Sequence, residues 1–267
     1  MGTSSSSKGP GAGVPMVPPW VPDLQPPQVP TDEPARPDEV APEAPPNRFR
    51  TTRLALGKFA GSGDSARLRR GLAQYVSSGY GGSATAAKRL GGTARNAGVL
   101  FGALSSAGRS GTSLPGGDLD VAMLSSRSAD EVMNAIVEAV RPVDGTLDAE
   151  ASRSAIKQAL CVLLTKYPTA ELLELTDEQS LFATESYLAT DVFLRFQLDV
   201  GKTIQDKAPT AVAALARLKE AKEYIREIVS ASFRRLAAGI KLTSRQVARV
   251  GLDALKDAFA VFTSYIQ

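Results

Sequence analysis

Two short patterns in the sequence could do chemistry, a pair of carboxylates and an unhindered α-amine. Asp118 and Asp120 are two residues apart in Gly-Gly-Asp-Leu-Asp-Val. On a strand both side chains would share one face and could hold Mg²⁺, as in nucleotidyltransferases. The Gly-Ser turn that precedes the pair in such enzymes is missing, so Asp118 or Asp120 could instead cap the following segment.

The second pattern is Met1-Gly2, followed by a run rich in serine and glycine. Glycine is small enough that an aminopeptidase normally removes Met1, which leaves the α-amine of Gly2 unhindered. An α-amine has a pKa of about 8, so part of it is neutral in the cell and can accept an acyl or related group. We therefore expect Gly2 to be a modification site; with Ser6, the start also fits the N-myristoylation pattern as an alternative.

The residues that follow Gly2 have the composition of an extended, pliable segment that can enter an enzyme cleft. The only tryptophan, Trp20, stands in a proline-rich stretch, where proline pre-orders the chain and the indole offers contact area. Trp20 is predicted to dock on a partner, and packing against the protein's own helices is the open alternative. The predicted partner-binding residues are Thr3, Ser4, Ser5, Ser6, Ser7, Lys8, Gly9, Pro10, Gly11 and Trp20.

The composition excludes several kinds of active site. The chain has no histidine and a single cysteine, Cys161, so Ser-His-Asp and Cys-His arrangements, the common zinc sites and an intramolecular disulfide are impossible. Gly57-Lys58 is followed by Phe59, which rules out a P-loop. We expect no cofactor, no bound metal and no enzymatic activity.

The 267 residues divide by composition into three predicted regions. Residues 1–50 hold 13 of the 17 prolines and are predicted to form a flexible arm. Residues 51–117 hold 15 of the 23 glycines and carry nine Lys/Arg against one acid, so this segment is basic. Residues 118–267 contain the clean helical periodicity and are predicted to form an α-helical bundle. No apolar run could span a membrane and no secretory pattern is present, so we expect a cytoplasmic protein without a membrane partner.

Capping boxes and apolar periodicity place the helices of this bundle. The pattern predicts helices over 129–141 and 147–167, a helix after Thr176 that stops at Gly201, a long helix over 209–239 and a last one after Thr243. On the long helix, Leu215 is assigned to the apolar face.

The basic middle segment predicts short helices over 64–78 and 84–105, interrupted at Gly81-Gly82 and Gly91-Gly92. A solvated surface and a nucleic-acid-binding patch both remain open for its cations. These are Arg67, Arg69, Arg70, Lys88, Arg89 and Arg95.

The opening Met-Gly-Thr-Ser-Ser-Ser-Ser-Lys-Gly-Pro-Gly, followed by Val-Pro-Met-Val-Pro-Pro-Trp-Val, resembles the QatB family of the bacterial Qat anti-phage defence system. The resemblance is specific over residues 1–22 and general beyond them. It implies three partners: QatC, a QueC-like enzyme; QatA, a predicted P-loop ATPase; and QatD, a TatD-like nuclease.

The same resemblance implies a modification. QueC-like defence enzymes are associated with attaching a 7-deazaguanine-type group to the N-terminal glycine of a partner protein. On this chain the acceptor would be the amine of Gly2, the residues from Thr3 to Gly13 would thread the active site of QatC, and Trp20 would dock outside it. The expected function is thus that of a non-enzymatic defence component, with the nucleotidyltransferase and the nucleic-acid adaptor as alternatives.

Overall fold

The computed structural model describes residues 13–18, 21, 43–105, 114–239 and 242–266. Over these residues the regular structure is helical, apart from two isolated β-bridges, so the predicted mainly α fold is confirmed. The α-helices are α1 (Arg50–Ser62), α2 (Ser65–Gln74), α3 (Ser83–Arg89), α4 (Gly91–Leu104), α5 (Val121–Leu124), α6 (Ala129–Val140), α7 (Leu147–Lys166), α8 (Asp177–Phe196), α9 (Lys202–Lys207), α10 (Ala211–Ala237) and α11 (Ser244–Thr263).

The chain packs as two compact units that each use separated stretches of sequence. The first unit comprises Met1–Gly92, Phe196–Ala221 and Lys256–Gln267, and the second comprises Thr93–Arg195 and Lys222–Leu255. The helices α4, α8, α10 and α11 therefore contribute residues to both units. The boundaries drawn from composition, at 50/51 and 117/118, stay a prediction.

In the first unit, α1 was not predicted from the sequence. Gly57 lies where α9 packs, and a Cβ there would be 3.5 Å from the Lys207 side chain. The helix ends at Gly63, which has a φ of 72° and donates its N–H to the Phe59 carbonyl at 2.7 Å. This left-handed position suits glycine because it lacks a Cβ.

Two π-helical turns interrupt the helical path of the first unit. One, Tyr75–Gly79, follows α2, and the other, Gln197–Gly201, follows α8. The expected stop at Gly201 is wrong, because the chain continues helically into α9. Gly201 has helical φ and ψ, and a Cβ there would lie 2.8 Å from Gln197 Cγ, so this glycine relieves crowding in the turn rather than ending the helix.

The predicted helices over 129–141, 147–167 and 209–239 and the predicted helix starts after Thr176 and Thr243 are confirmed within two residues. Ser128 and Glu131 form the capping box of α6, and Thr176 with Gln179 and Thr243 with Gln246 form the corresponding hydrogen bonds before α8 and α11. The buried core of the second unit includes Leu100, Ile136, Val140, Ile156, Leu160, Leu163, Leu188, Val192, Ile225, Val229, Phe233 and Val247.

On α10, one assignment to the apolar face is wrong. Leu215 lies in the part of this helix that belongs to the first unit, and 69% of its surface is exposed. Leu218, three residues on, is buried instead. The helical period alone cannot distinguish the two, because the apolar stripe of the helix is wider than the surface that its neighbours cover.

Candidate functional site: the arm anchor and two buried clusters

Residues 13–18 and 43–44 form a short pairing that we call the arm anchor. The N–H of Gly13 donates to the carbonyl of Ala44 at 3.2 Å, and the N–H of Ala44 donates to the carbonyl of Val14 at 2.8 Å. Pro15 and Glu43 form an antiparallel bridge between these bonds. Four residues of the anchor are buried, Met16, Val17, Pro18 and Ala44. Gly13 is therefore held at a defined place on the first unit.

The anchor leads directly into α1. After Ala44 the chain turns at Asn47, which has a φ of 55°, and the N–H of Arg50 donates to the Asn47 carbonyl at 2.8 Å. Asparagine is among the residues that adopt this left-handed conformation most readily. The turn buries Arg48 and Phe49, which join the anchor to the interior of the first unit.

A tyrosine–aspartate cluster, made of Tyr75, Tyr80 and Asp199, connects the two π-helical turns of the first unit. The Tyr75 hydroxyl donates to Oδ2 of Asp199 at 2.8 Å, and the Tyr80 hydroxyl donates to the same oxygen at 2.6 Å. Burial raises the pKa of both tyrosines, and the negative charge of Asp199 raises it further. Both hydroxyls therefore remain protonated donors at neutral pH and do not act as general bases.

Aromatic rings and one cation surround the tyrosine–aspartate cluster. Phe49 stacks on Tyr75 with ring centroids 5.6 Å apart. The ring of Phe196 contacts Tyr75 edge-on, with centroids 5.3 Å apart. The guanidinium of Arg48 lies 4.5 Å from the Phe49 centroid and 5.0 Å from that of Tyr80. Within the described residues, Nε and Nη1 of Arg48 have no hydrogen-bond partner, although the residue is only 6% exposed. Cation–π contact is thus its main observed stabilisation.

A second buried cluster, in the second unit, is centred on Asp191, which is fully buried on α8. Its carboxylate accepts hydrogen bonds from Thr93 on α4, from Ser152 on α7 at 2.8 Å, and from Arg195 Nε at 2.9 Å. Arg195 also pairs with Asp148 at 2.9 Å. Burial alone would lower the pKa of Arg195, but Asp191 and Asp148 raise it above its usual range. The cluster joins three helices and keeps its charges paired.

The structure does not form the carboxylate site that the sequence suggested. Asp118 and Asp120 are exposed and lie outside any strand, and Asp120 caps α5 by accepting the N–H of Met123 at 3.0 Å. The strand required by the nucleotidyltransferase hypothesis is therefore missing at these residues, and that hypothesis is wrong in its structural premise. Over the described part of the chain, no group of three or more His, Cys, Asp or Glu residues could hold a metal ion.

The predicted modification and partner-binding residues lie outside the described residues. These are Gly2, Thr3, Ser4, Ser5, Ser6, Ser7, Lys8, Gly9, Pro10, Gly11 and Trp20. Their roles stay predictions. Gly13, in the arm anchor, is the described residue nearest in sequence to Gly2 and to the segment from Thr3 to Gly11.

The cations of the basic middle segment fall on different helices. Arg67, Arg69 and Arg70 are exposed on α2, and Arg67 pairs with Asp64 at 3.3 Å. Lys88 and Arg95 are exposed on α3 and α4, and Arg95 belongs to the second unit while the others belong to the first. That the six cations form one patch stays a prediction.

The buried clusters were not found from the sequence. Tyr80 and Asp199 are 119 residues apart, and the π-helical turns that aim them at each other have no sequence signal that we could identify. For Asp191, a carboxylate inside the apolar stretch of α8 was a usable signal, because a buried charge must be paired.

These observations define a class: an all-α protein with an anchored N-terminal segment and polar clusters that tie its helices together. No helix among the described residues is long and apolar enough to cross a membrane. Residues 81–262 match the family model described as Qat anti-phage system associated protein QatB. Because the match covers more than half of the chain, the protein belongs to the QatB family, and the resemblance seen in the sequence is confirmed.

Membership of this family makes the chain a component of an anti-phage defence system, with partners among the other Qat components. The matched residues begin at Gly81 and do not include the arm anchor. No curated protein and no solved structure matches the chain.

Proposed function

We propose that this chain is a non-enzymatic defence component whose N-terminal arm is bound by the QueC-like enzyme QatC. In this proposal QatC modifies the α-amine of Gly2 with a 7-deazaguanine-type group, and the encounter takes place in the cytoplasm. The observation that supports it is the arm anchor, in which the N–H of Gly13 donates to the carbonyl of Ala44, the N–H of Ala44 donates to the carbonyl of Val14, and Pro15 forms a bridge with Glu43.

The anchor sets how far Gly2 can extend from the first unit. Eleven residue steps separate Gly13 from Gly2, and an extended chain spans at most about 3.6 Å per residue, so Gly2 can reach about 40 Å from the anchor. That reach is enough for the amine to enter a partner's cleft while the first unit stays folded. A neutral α-amine is a competent nucleophile: its attack on an activated acyl carbon of the donor would form an amide bond, expel the donor's leaving group and release the amine proton, and glycine has no side chain to obstruct the approach.

The remaining predicted residues have roles along this path. Thr3 to Gly11 would lie in the cleft of QatC, and Trp20, which follows the anchored residues 13–18, would contact QatC outside the cleft. QatA and QatD are proposed as further partners of the assembled system.

The experiment that tests this proposal is mass spectrometry of the intact protein and of its N-terminal peptide. The chain is expressed with and without the QueC-like gene, in its natural form and as two variants at position 2. Gly2→Ala keeps a small residue, so Met1 is still removed. Gly2→Glu retains Met1, so the nitrogen of residue 2 stays in a peptide bond. We expect an adduct on Gly2 only when QatC is present, and none on Gly2→Glu.

A matched variant tests the docking residue. Trp20→Ala is expected to reduce the yield of the adduct, whereas Val14→Ala, which alters an exposed side chain of the anchor, is expected to leave it unchanged. An unmodified N-terminus in cells that the system protects from phage would overturn the proposed modification. An equal effect of both substitutions would overturn the assigned role of Trp20.

A further inference from the structure

The described residues of the first unit are strongly basic. They contain 14 Lys/Arg and six Asp/Glu, a net charge of +8, in a chain whose total is +3. The excess positive charge of the whole protein therefore lies in this unit. Such an imbalance attracts polyanions and raises the rate at which they associate.

The helix α2 presents the most compact group of these cations. On this helix Leu68, Leu72 and Ala73 are buried in the first unit, whereas Arg67, Arg69 and Arg70 are all exposed. Asp64 pairs with Arg67, but no carboxylate of the described residues pairs with either of the other two arginines. Two guanidinium groups are thus available for an anionic partner.

An aromatic ring lies beside them, although it is 196 residues away in sequence. The guanidinium carbon of Arg69 is 5.9 Å from the ring centroid of Tyr265, in the short 3₁₀ turn Ser264–Ile266 that follows α11. Tyr265 is 37% exposed, so part of its ring faces solvent. No aromatic residue is interleaved with these arginines in the sequence, and the fold places one beside Arg69.

We propose that Arg69, Arg70 and Tyr265 form a binding surface for single-stranded nucleic acid. Arginine forks bind phosphate oxygens, and an exposed tyrosine ring stacks on an unpaired base. An acidic polypeptide would use the charge but would gain nothing from the ring, and the bases of a duplex are already stacked on each other. The combination therefore favours a single strand.

The test measures fluorescence anisotropy of a labelled oligothymidylate of about 20 nucleotides with the full chain, between about 50 and 200 mM salt. Arg69→Ala/Arg70→Ala is expected to weaken binding at least about tenfold and to lower the slope of log affinity against log salt by about 1.4, since each phosphate contact on a single strand contributes about 0.7. Tyr265→Leu is expected to weaken single-strand binding about fivefold or more and to leave duplex binding unchanged.

A matched control removes the same charge elsewhere. Arg245 and Arg249 are exposed on α11 in the second unit, and Arg245→Ala/Arg249→Ala should change the affinity less than about twofold. Circular dichroism verifies that every variant is folded. The proposal is overturned if the natural chain does not bind the oligonucleotide at low salt, or if the control weakens binding as much as the α2 variant. It is equally overturned if polyglutamate competes as well as the oligonucleotide and Tyr265→Leu has no effect.

Discussion

The Tyr80 hydroxyl donates a 2.6 Å hydrogen bond to Oδ2 of Asp199, and the two residues are 119 positions apart in the chain. The same carboxylate oxygen accepts the hydroxyl of Tyr75 at 2.8 Å. Tyr75 opens one π-helical turn of the first unit, Tyr80 directly follows that turn, and Asp199 lies in the other. A single carboxylate oxygen therefore links two irregular turns.

A double-mutant cycle tests the hydrogen bond between Tyr80 and Asp199. Tyr80→Phe should lower the free energy of unfolding by about 1.5 to 3 kcal/mol, because a hydrogen bond to a charged group is lost. In an Asp199→Ala background the same substitution should cost less than about 0.5 kcal/mol, since its acceptor is already gone. Urea denaturation followed by circular dichroism measures all four proteins, and additive losses would contradict the interaction.

The raised pKa values of Tyr75 and Tyr80 predict a loss of stability in alkali. In the unfolded chain these hydroxyls ionise at about pH 10, whereas in the folded chain burial and Asp199 keep them protonated. Their contribution is therefore fully present below about pH 10 and is lost as the pH rises beyond it, by about 1.4 kcal/mol per pH unit for each tyrosine. Unfolding measured between about pH 9 and 11 should show a smaller slope for Tyr80→Phe than for the natural chain, and an equal slope would contradict the raised pKa of Tyr80.

The Asp191 cluster predicts unequal effects for the two carboxylates that pair with Arg195. Asp191→Ala should destabilise the protein by about 3 to 5 kcal/mol, because it leaves a mostly buried guanidinium without its main partner. Asp148→Ala should cost about 1 kcal/mol or less, because the Asp148 side chain is 51% exposed. Thermal denaturation of both variants checks this, and equal losses would show that burial does not set the strength of these pairs.

Two glycines of the first unit predict opposite effects of one methyl group. At Gly79 an added Cβ would lie 2.5 Å from Cε1 of Phe49, so Gly79→Ala should destabilise the protein by about 1 to 3 kcal/mol. At Gly92, in α4, nothing lies within 4 Å of the added Cβ, and Gly92→Ala should stabilise it by about 0.5 to 1 kcal/mol by favouring the helix. Melting temperatures of the two variants show whether each substitution destabilises or stabilises the protein. A Gly79→Ala variant as stable as the natural chain would contradict the close packing of Phe49.

The burial of its two valines predicts which of them holds the arm anchor in place. Val17 is 6% exposed and Val14 is 41% exposed, so Val17→Asp should release the anchor and Val14→Asp should not. The amide of Ala44, which donates to the Val14 carbonyl, reports the difference. Hydrogen–deuterium exchange at this amide should become about tenfold faster in Val17→Asp only. Equal exchange in both variants would mean that the buried side chain does not hold the pairing.

Much of the helical architecture could be predicted because its signals are local. The capping box of Ser128 and Glu131 satisfies backbone groups within one helical turn, so two residues three positions apart decide where α6 begins. The same holds for Thr176 before α8 and Thr243 before α11. The proposed modification site at Gly2 also follows from local chemistry, and the structure leaves it untested.

Signals that depend on neighbours in space misled the prediction. Gly201 looked like a stop residue, yet it lies in a helical path where the Gln197 side chain leaves little room for a Cβ. Leu215 fits the apolar period of α10 as well as Leu218 does, and only the packing of the first unit shows that Leu218 alone is buried.

By itself the sequence determined the mainly α class, the starts of the helices in the second unit, the absence of histidine chemistry and the family resemblance, because each of these depends on composition or on residues within one turn. Only the tertiary structure decided that Tyr80 meets Asp199, that Arg69 lies beside Tyr265 and that residues 13–18 pair with 43–44. The physical reason is that these contacts join segments far apart in the chain, and their energies arise only when burial brings the partners together.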